Sequence, residues 1–104
     1  MTQFTGRLPN STSVSTSEPT ACFSVVAETD PSALPRVLEV FTKLGEVPSQ
    51  CHATRVGPGG QELHIDLQFD NMDQATSAHL ARTLGGIHLV NLVLTSEKRQ
   101  RLSA

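Results

Sequence analysis

The chain has 104 residues, 38% hydrophobic and 17% charged, with a formal net charge of −2. That is one domain's length, and a domain this small leaves enough surface exposed that a partner is expected over any open sheet edge or apolar helix face. The charge balance gives no basic footprint for a phosphate backbone. Four Phe with no Trp or Tyr give no stacking platform for single-stranded nucleic acid, and no run of 18 apolar residues is present to span a bilayer.

The N-terminus lacks the apolar core of a signal peptide. Cys22 and Cys51 are too few for a disulfide framework and lack C-x-x-C spacing. Both are expected as small core or half-buried residues, and a cytoplasmic location with free thiols follows. Residues 1–19 read as a tail: seven of residues 10–20 are Ser or Thr, too polar to offset the entropy of ordering. Phe4, Leu8 and Val14 are isolated apolar points in it.

The folded part is expected over residues 20–96. Residues 22–28 form a first strand, with Phe23, Val25 and Ala27 on one face. Asp30, Pro31 and Ser32 break it and start a helix with Ser32 as N-cap and Pro35 in the first turn. Leu34, Val37, Leu38, Phe41 and Leu44 make its apolar stripe, and Gly45 ends it. Pro48 opens a second strand to Val56 and marks it as an edge.

Gly57-Pro58-Gly59-Gly60 is a hairpin loop. The third strand, residues 62–69, has Leu63, Ile65, Leu67 and Phe69 inward and His64, Asp66, Gln68 and Asp70 outward. Asn71 with Gln74 resembles a capping box for a second helix from about Met72 to Leu84, with Ser77, Leu80, Ala81 and Leu84 on its buried side. Gly85-Gly86 stops it. Residues 87–95 form the last strand, with Val90, Leu92 and Leu94 alternating against Leu89, Asn91 and Val93. Residues 97–104 are a polar tail. Its cluster Lys98, Arg99 and Arg101 is a solvated chain end or a dock for an acidic partner.

Strand–helix–strand twice over, joined by right-handed crossovers, gives an α+β ferredoxin-like βαββαβ fold: a four-stranded antiparallel sheet with both helices on one face. That fold serves many functions, and residue types remove several. No C-x-x-C pair follows the first strand for copper, and no exposed aromatics occupy the central strands for RNA. There is no Arg cradle, Walker loop, dinucleotide fingerprint or G-x-S-x-G elbow.

A hairpin pairing Val56 with Glu62 sets Thr54 opposite His64 and His52 opposite Asp66. His52, His64 and Asp66 then cluster on the polar sheet face, as a hydrogen-bonded surface, a dimer contact, a divalent-metal site or an acid–base group. The favoured reading has no catalytic residue and no metal. His79 and His88 read as surface residues.

The stretch Asp30-Pro31-Ser32-Ala33-Leu34-Pro35-Arg36-Val37-Leu38, directly after a first strand, resembles the opening signature of ACT domains, and the remaining elements follow in that family's order over about residues 21–96. Residues 34–41 and Leu63-His64-Ile65-Asp66-Leu67 look most like the small regulatory subunits of acetolactate (acetohydroxyacid) synthase. The resemblance implies a non-catalytic accessory subunit in branched-chain amino-acid biosynthesis, with no cofactor of its own; thiamine diphosphate would belong to the larger catalytic partner.

It also implies a homodimer built side by side through the edge strand at residues 49–56, with Gln50, His52 and Thr54 on that edge. A small amino acid would bind at Asp30, Pro31, Ser32, Ala33 and Leu34. Amino-acid-sensing members carry Gly after the Pro, so that a carboxylate reaches the helix N-terminus; Ser32 stands there in this chain. The turn is therefore a ligand site or only a helix start. Two alternatives stand beside the subunit reading: a stand-alone amino-acid-sensing dimer with another client, and a small ferredoxin-like enzyme using His52, His64 and Asp66.

Overall fold

Alternation along the strands and apolar spacing along the helices leave one buried layer. In a computed structural model of the chain, residues 19–99 are described. Residues 1–18 and 100–104, holding most of the expected tails, lie outside them.

The elements are β1 (Pro19–Glu28), α1 (Ala33–Thr42), β2 (Gln50–Val56), a 3-10 turn (Pro58–Gly60), β3 (Glu62–Asp70), α2 (Gln74–Gly85) and β4 (Val90–Arg99). The sheet order is β2-β3-β1-β4, and each neighbouring pair is antiparallel. This is the expected ferredoxin-like arrangement, with β1 and β3 central and β2 and β4 at the edges. β4 continues through Arg99, into the stretch read as a tail.

The core lies between the helices and one face of the sheet. β1 gives it Phe23, Val25 and Ala27; β3 gives Ile65, Leu67 and Phe69; α1 gives Val37 and Phe41; α2 gives Leu80 and Leu84. Each of these side chains larger than Ala27 contributes about 1.5–3 kcal/mol when fully buried. Three rings tie the layers together. Phe41 stacks on Phe69 with centroids 4.3 Å apart, and Phe23 meets Phe41 and Phe69 edge-on at 5.2 and 5.8 Å.

Gly45 stops α1 as expected. It sits at φ +75°, its N–H donates to Thr42 O, and the Glu46 N–H reaches back to Phe41 O. This is a Schellman ending, in which the left-handed residue favours Gly. It takes Leu44 off the buried stripe: Leu44 is 54% exposed, and Val47 beyond it is 81% exposed.

The cap of α2 is Asp73, whose Oδ1 accepts from the Thr76 N–H at 2.7 Å. Asn71, expected in that role, instead takes φ 60° and turns the chain out of β3. Asn is the non-glycine residue that best tolerates this conformation. Met72, expected in the helix, precedes it and is buried.

The last strand departs most from simple alternation. Val26 pairs with Leu92 but Ala27 pairs with Val90, so Asn91 is an extra residue on β4. The bulge lets both Val90 and Val93 pack against the core. Leu92 and Leu94 are left on the opposite face, 48% and 57% exposed. Cys22 is half-buried, and Cys51, expected at least half-buried, is exposed. Cys51, Ala53 and Arg55 share the helix side of β2 with Leu67, Ile65 and Leu63, yet all three are exposed because neither helix extends over this edge.

Candidate functional site

Three connections meet at one end of the sheet: the turn from β1 to α1, the glycine hairpin, and the loop from α2 to β4. In the first, the Ser32 N–H donates to Asp30 Oδ1 at 2.9 Å and the Ser32 hydroxyl donates to the same oxygen at 2.7 Å. The Ala33 N–H donates to the Asp30 carbonyl. Ser32 occupies the N-cap position of α1, but its hydroxyl caps no backbone N–H; the Asp30 carboxylate does that work. The Ser32 N–H, then its hydroxyl, hold the Asp30 carboxyl below its ordinary 3.8, and Arg36 adds a weaker pull.

The Thr29 hydroxyl donates to Gly60 O at 2.7 Å, tying this turn to the hairpin. Arg55 Nε donates to the same carbonyl at 3.4 Å. On the other side the Glu28 N–H donates to Leu89 O at 2.9 Å. The loop after α2 therefore lies against the turn, and a hollow of about 240 Å3 opens between them, lined by Asp30, Ser32, Arg36, His88 and Leu89. Of the five residues singled out in the sequence, Asp30 and Pro31 are exposed, Ser32 and Leu34 half-buried and Ala33 buried. Asp30 and Ser32 line the hollow; Ala33 is core and Leu34 packs against it.

Arg36, His88 and Leu89 are additions the sequence reading missed. The signal existed in the topology. β1 and β4 are antiparallel neighbours, so the residues entering β4 must lie beside those leaving β1.

On the edge strand, Gln50, His52 and Thr54 are exposed on the sheet face away from the helices. Among the described residues β2 has one neighbour, β3, and no strand pairs with its outer edge. The predicted hairpin register holds: Val56 faces Glu62, Thr54 faces His64 and His52 faces Asp66. His64 and Asp66 are otherwise engaged. His64 Nε2 lies 3.2 Å from Glu62 Oε1, and Asp66 accepts from the Ser24 hydroxyl at 3.0 Å. Among the described residues, no three His, Cys, Asp or Glu side chains are grouped to hold a metal ion. Nor is any helix among them long and apolar enough to cross a membrane.

The sequence matches no protein-family model and no curated protein. The structure does find likenesses. The ACT domain of GTP pyrophosphokinase from Chlorobium tepidum superposes with a TM-score of 0.63 at 14% identity, over 78% of this chain and 100% of that one. The chain has the fold of an ACT domain.

Two further structures superpose on the chain. An uncharacterized protein of Thermotoga maritima gives a TM-score of 0.62 at 23% identity, over 77% of this chain and 98% of that one. The regulatory subunit of aspartate kinase from Thermus thermophilus gives 0.58 at 10% identity, over 76% of this chain and 51% of the subunit. At these identities the likeness concerns the fold. Within it, the hollow is lined by a residue with a carboxylate, Asp30, and by two with basic side chains, Arg36 and His88, and Arg36 lies near enough to Asp30 to lower its carboxyl.

Proposed function

We propose that this chain is a non-catalytic regulatory domain that binds a small amino acid at the turn from β1 to α1 and acts on a separate catalytic enzyme. The observation that carries the reading is the hollow where Asp30, Arg36 and His88 converge. Its volume of about 240 Å3 lies below the roughly 300–1,000 Å3 of sites for drug-sized ligands. Asp30 meets the ammonium group of the ligand. Both Ser32 bonds use its Oδ1, so Oδ2 is the oxygen assigned to the ligand. Arg36 and His88 meet the ligand carboxylate, the arginine through its planar fork. Ser32 stands where a glycine would admit a closer approach to the backbone, and the carboxylate is accordingly assigned to side chains.

The chain acts as a side-by-side homodimer through β2, with Gln50, His52 and Thr54 at the contact. The client best supported by the sequence resemblance is acetolactate synthase of branched-chain amino-acid biosynthesis, and thiamine diphosphate is the client's. Calorimetric titration with valine, leucine, isoleucine and serine tests the ligand. Binding of one of them, lost in both Asp30→Ala and Ser32→Trp, is the expected result; binding that survives both removes the site. Affinity capture from the native cells tests the client. A thiamine-diphosphate enzyme recovered in stoichiometric amount supports it, and a dimer recovered alone overturns it.

A further inference from the structure

The sheet face turned away from both helices carries an apolar strip and a surplus of carboxylates. The bulge at Asn91 places Leu92 and Leu94 on it, 48% and 57% exposed, with half-buried Val26 paired to Leu92. Strand parity puts Glu28 of β1 and Glu62, Asp66 and Asp70 of β3 on the same face. Glu28 and Glu62 are direct cross-strand partners, a like-charge pairing that weakens a sheet. Their side-chain partners are Asn91 and His64; Asp66 accepts from Ser24, and Asp70 from Thr20 and Ser49. None of those is Lys or Arg. The register puts Lys98 on this face, the one Lys or Arg there among the described residues.

A shallow trough of about 720 Å3 crosses the strands on this face, from Gln50 and His52 of β2 past Asp66 to Leu94 of β4. Its occupant is constrained by charge. A second copy laid face to face would set two carboxylate-rich surfaces against each other, an arrangement that suppresses pairing. Phosphate-bearing nucleic acid or anionic lipid meets the same repulsion. A cationic segment with one apolar side answers both features. Crossing four strands spans three gaps of about 4.8 Å, or roughly 14 Å; at about 1.5 Å per residue that is a helix of about 10 residues.

We propose that this open sheet face is the docking surface for a cationic amphipathic helix of the client protein. Leucine-type side chains of that helix cover Leu92, Leu94 and Val26, and its Lys or Arg side chains reach Glu62 and Asp66. The inference rests on the regulatory reading only in naming the partner a client. The surface is separate from the amino-acid hollow and meets the proposed dimer edge at Gln50 and His52.

The test uses the full chain, labelled with nitrogen-15, and two capped synthetic peptides of about 12 residues, long enough to cover the trough. One has Lys and Leu in amphipathic helical register; the other has Glu in place of every Lys. The Lys peptide should shift the amide resonances of β3 and β4, more weakly at high salt, while the Glu peptide leaves them in place. Leu92→Ser with Leu94→Ser should weaken binding about tenfold through lost apolar burial. Glu62→Gln with Asp66→Asn should weaken it and flatten the salt dependence, and this variant retains polar groups of the same shape should the leucine variant not fold. Shifts confined to another surface, equal binding of both peptides, or no binding would each overturn the proposal. So would sedimentation showing that the leucine variant breaks up a face-to-face dimer. Amino-acid titration of the same samples, read at Asp30 and His88, separates the two readings. Amino-acid shifts without peptide binding remove the docking surface alone, and the reverse removes the amino-acid site alone.

Discussion

Replacing Phe41 by Ala is expected to bring the domain close to unfolding. Phe41 is 1% exposed and is the largest side chain that α1 places in the core; it stacks on Phe69 at 4.3 Å and meets Phe23 at 5.2 Å. Truncation loses the ring's transfer energy and leaves a cavity, together about 3–5 kcal/mol, against a total of about 5–15 kcal/mol for a typical domain. Phe41→Leu keeps most of the volume and loses two ring contacts of about 0.5–1.5 kcal/mol each. The alanine variant should therefore fall clearly below the leucine variant. With no Trp or Tyr in the chain, the assay is urea unfolding followed by far-ultraviolet circular dichroism. At a slope of about 1 kcal/mol per molar urea, the alanine midpoint should drop by more than about 2 M. Coincident curves for the two variants, or a loss under about 1 kcal/mol for Ala, would refute the idea that these rings lock α1 to the sheet.

Acid should weaken the fold through its two capping aspartates. Asp30 and Asp73 both lie below 3.8 when folded, so the unfolded chain takes up their protons first, at about pH 3.9. Their stabilisation is present above that pH and is lost as pH falls through the folded values. Asp73→Asn keeps an acceptor without titrating, so its urea midpoint should drop less than that of the parent between about pH 5 and pH 2.5; equal drops would exclude the cap as a contributor.

At the hairpin, Gly60 has φ +65° and an added Cβ would lie 2.9 Å from Arg55 Nη2. Gly60→Ala should cost about 1–2 kcal/mol in urea unfolding from the left-handed backbone. Because the Arg55 side chain can swing away, Arg55→Ala should restore little of that; full rescue would show that crowding dominates. Finally, Gln50→Lys with Thr54→Lys places cations along the free β2 edge, a device that blocks strand pairing. Sedimentation should show a shift from dimer to monomer with the dichroism spectrum unchanged, and an unaltered dimer would remove β2 from the contact.

Much of this fold is legible because its signals are local. The alternation of Leu63, Ile65, Leu67 and Phe69, with glycines before it, fixes both the inward face of β3 and the hairpin register, down to His52 opposite Asp66. The stop at Gly45 is equally local. What escaped the sequence depends on contacts between distant segments. β4 has apolar residues on both faces, so its bulge is decided by pairing with Val26 and Ala27 rather than by its own pattern. Asn71 and Asp73 are both good caps two positions apart; the one that must turn the chain out of β3 is unavailable to the helix. Asp30 stood out because it breaks a strand, while His88 reaches the same hollow only through the antiparallel pairing of β1 and β4.

The Gly60 carbonyl accepts from Thr29 in the turn beside the hollow and from Arg55 at the end of β2. One backbone oxygen thus joins the proposed ligand turn to the proposed dimer strand. A ligand that shifts this turn changes the association constant of two copies by some factor, and association must then change the affinity for that ligand by the same factor. Titrations of this chain at two protein concentrations on either side of its dimer constant would then give two different apparent affinities, and their ratio would measure the strength of that link.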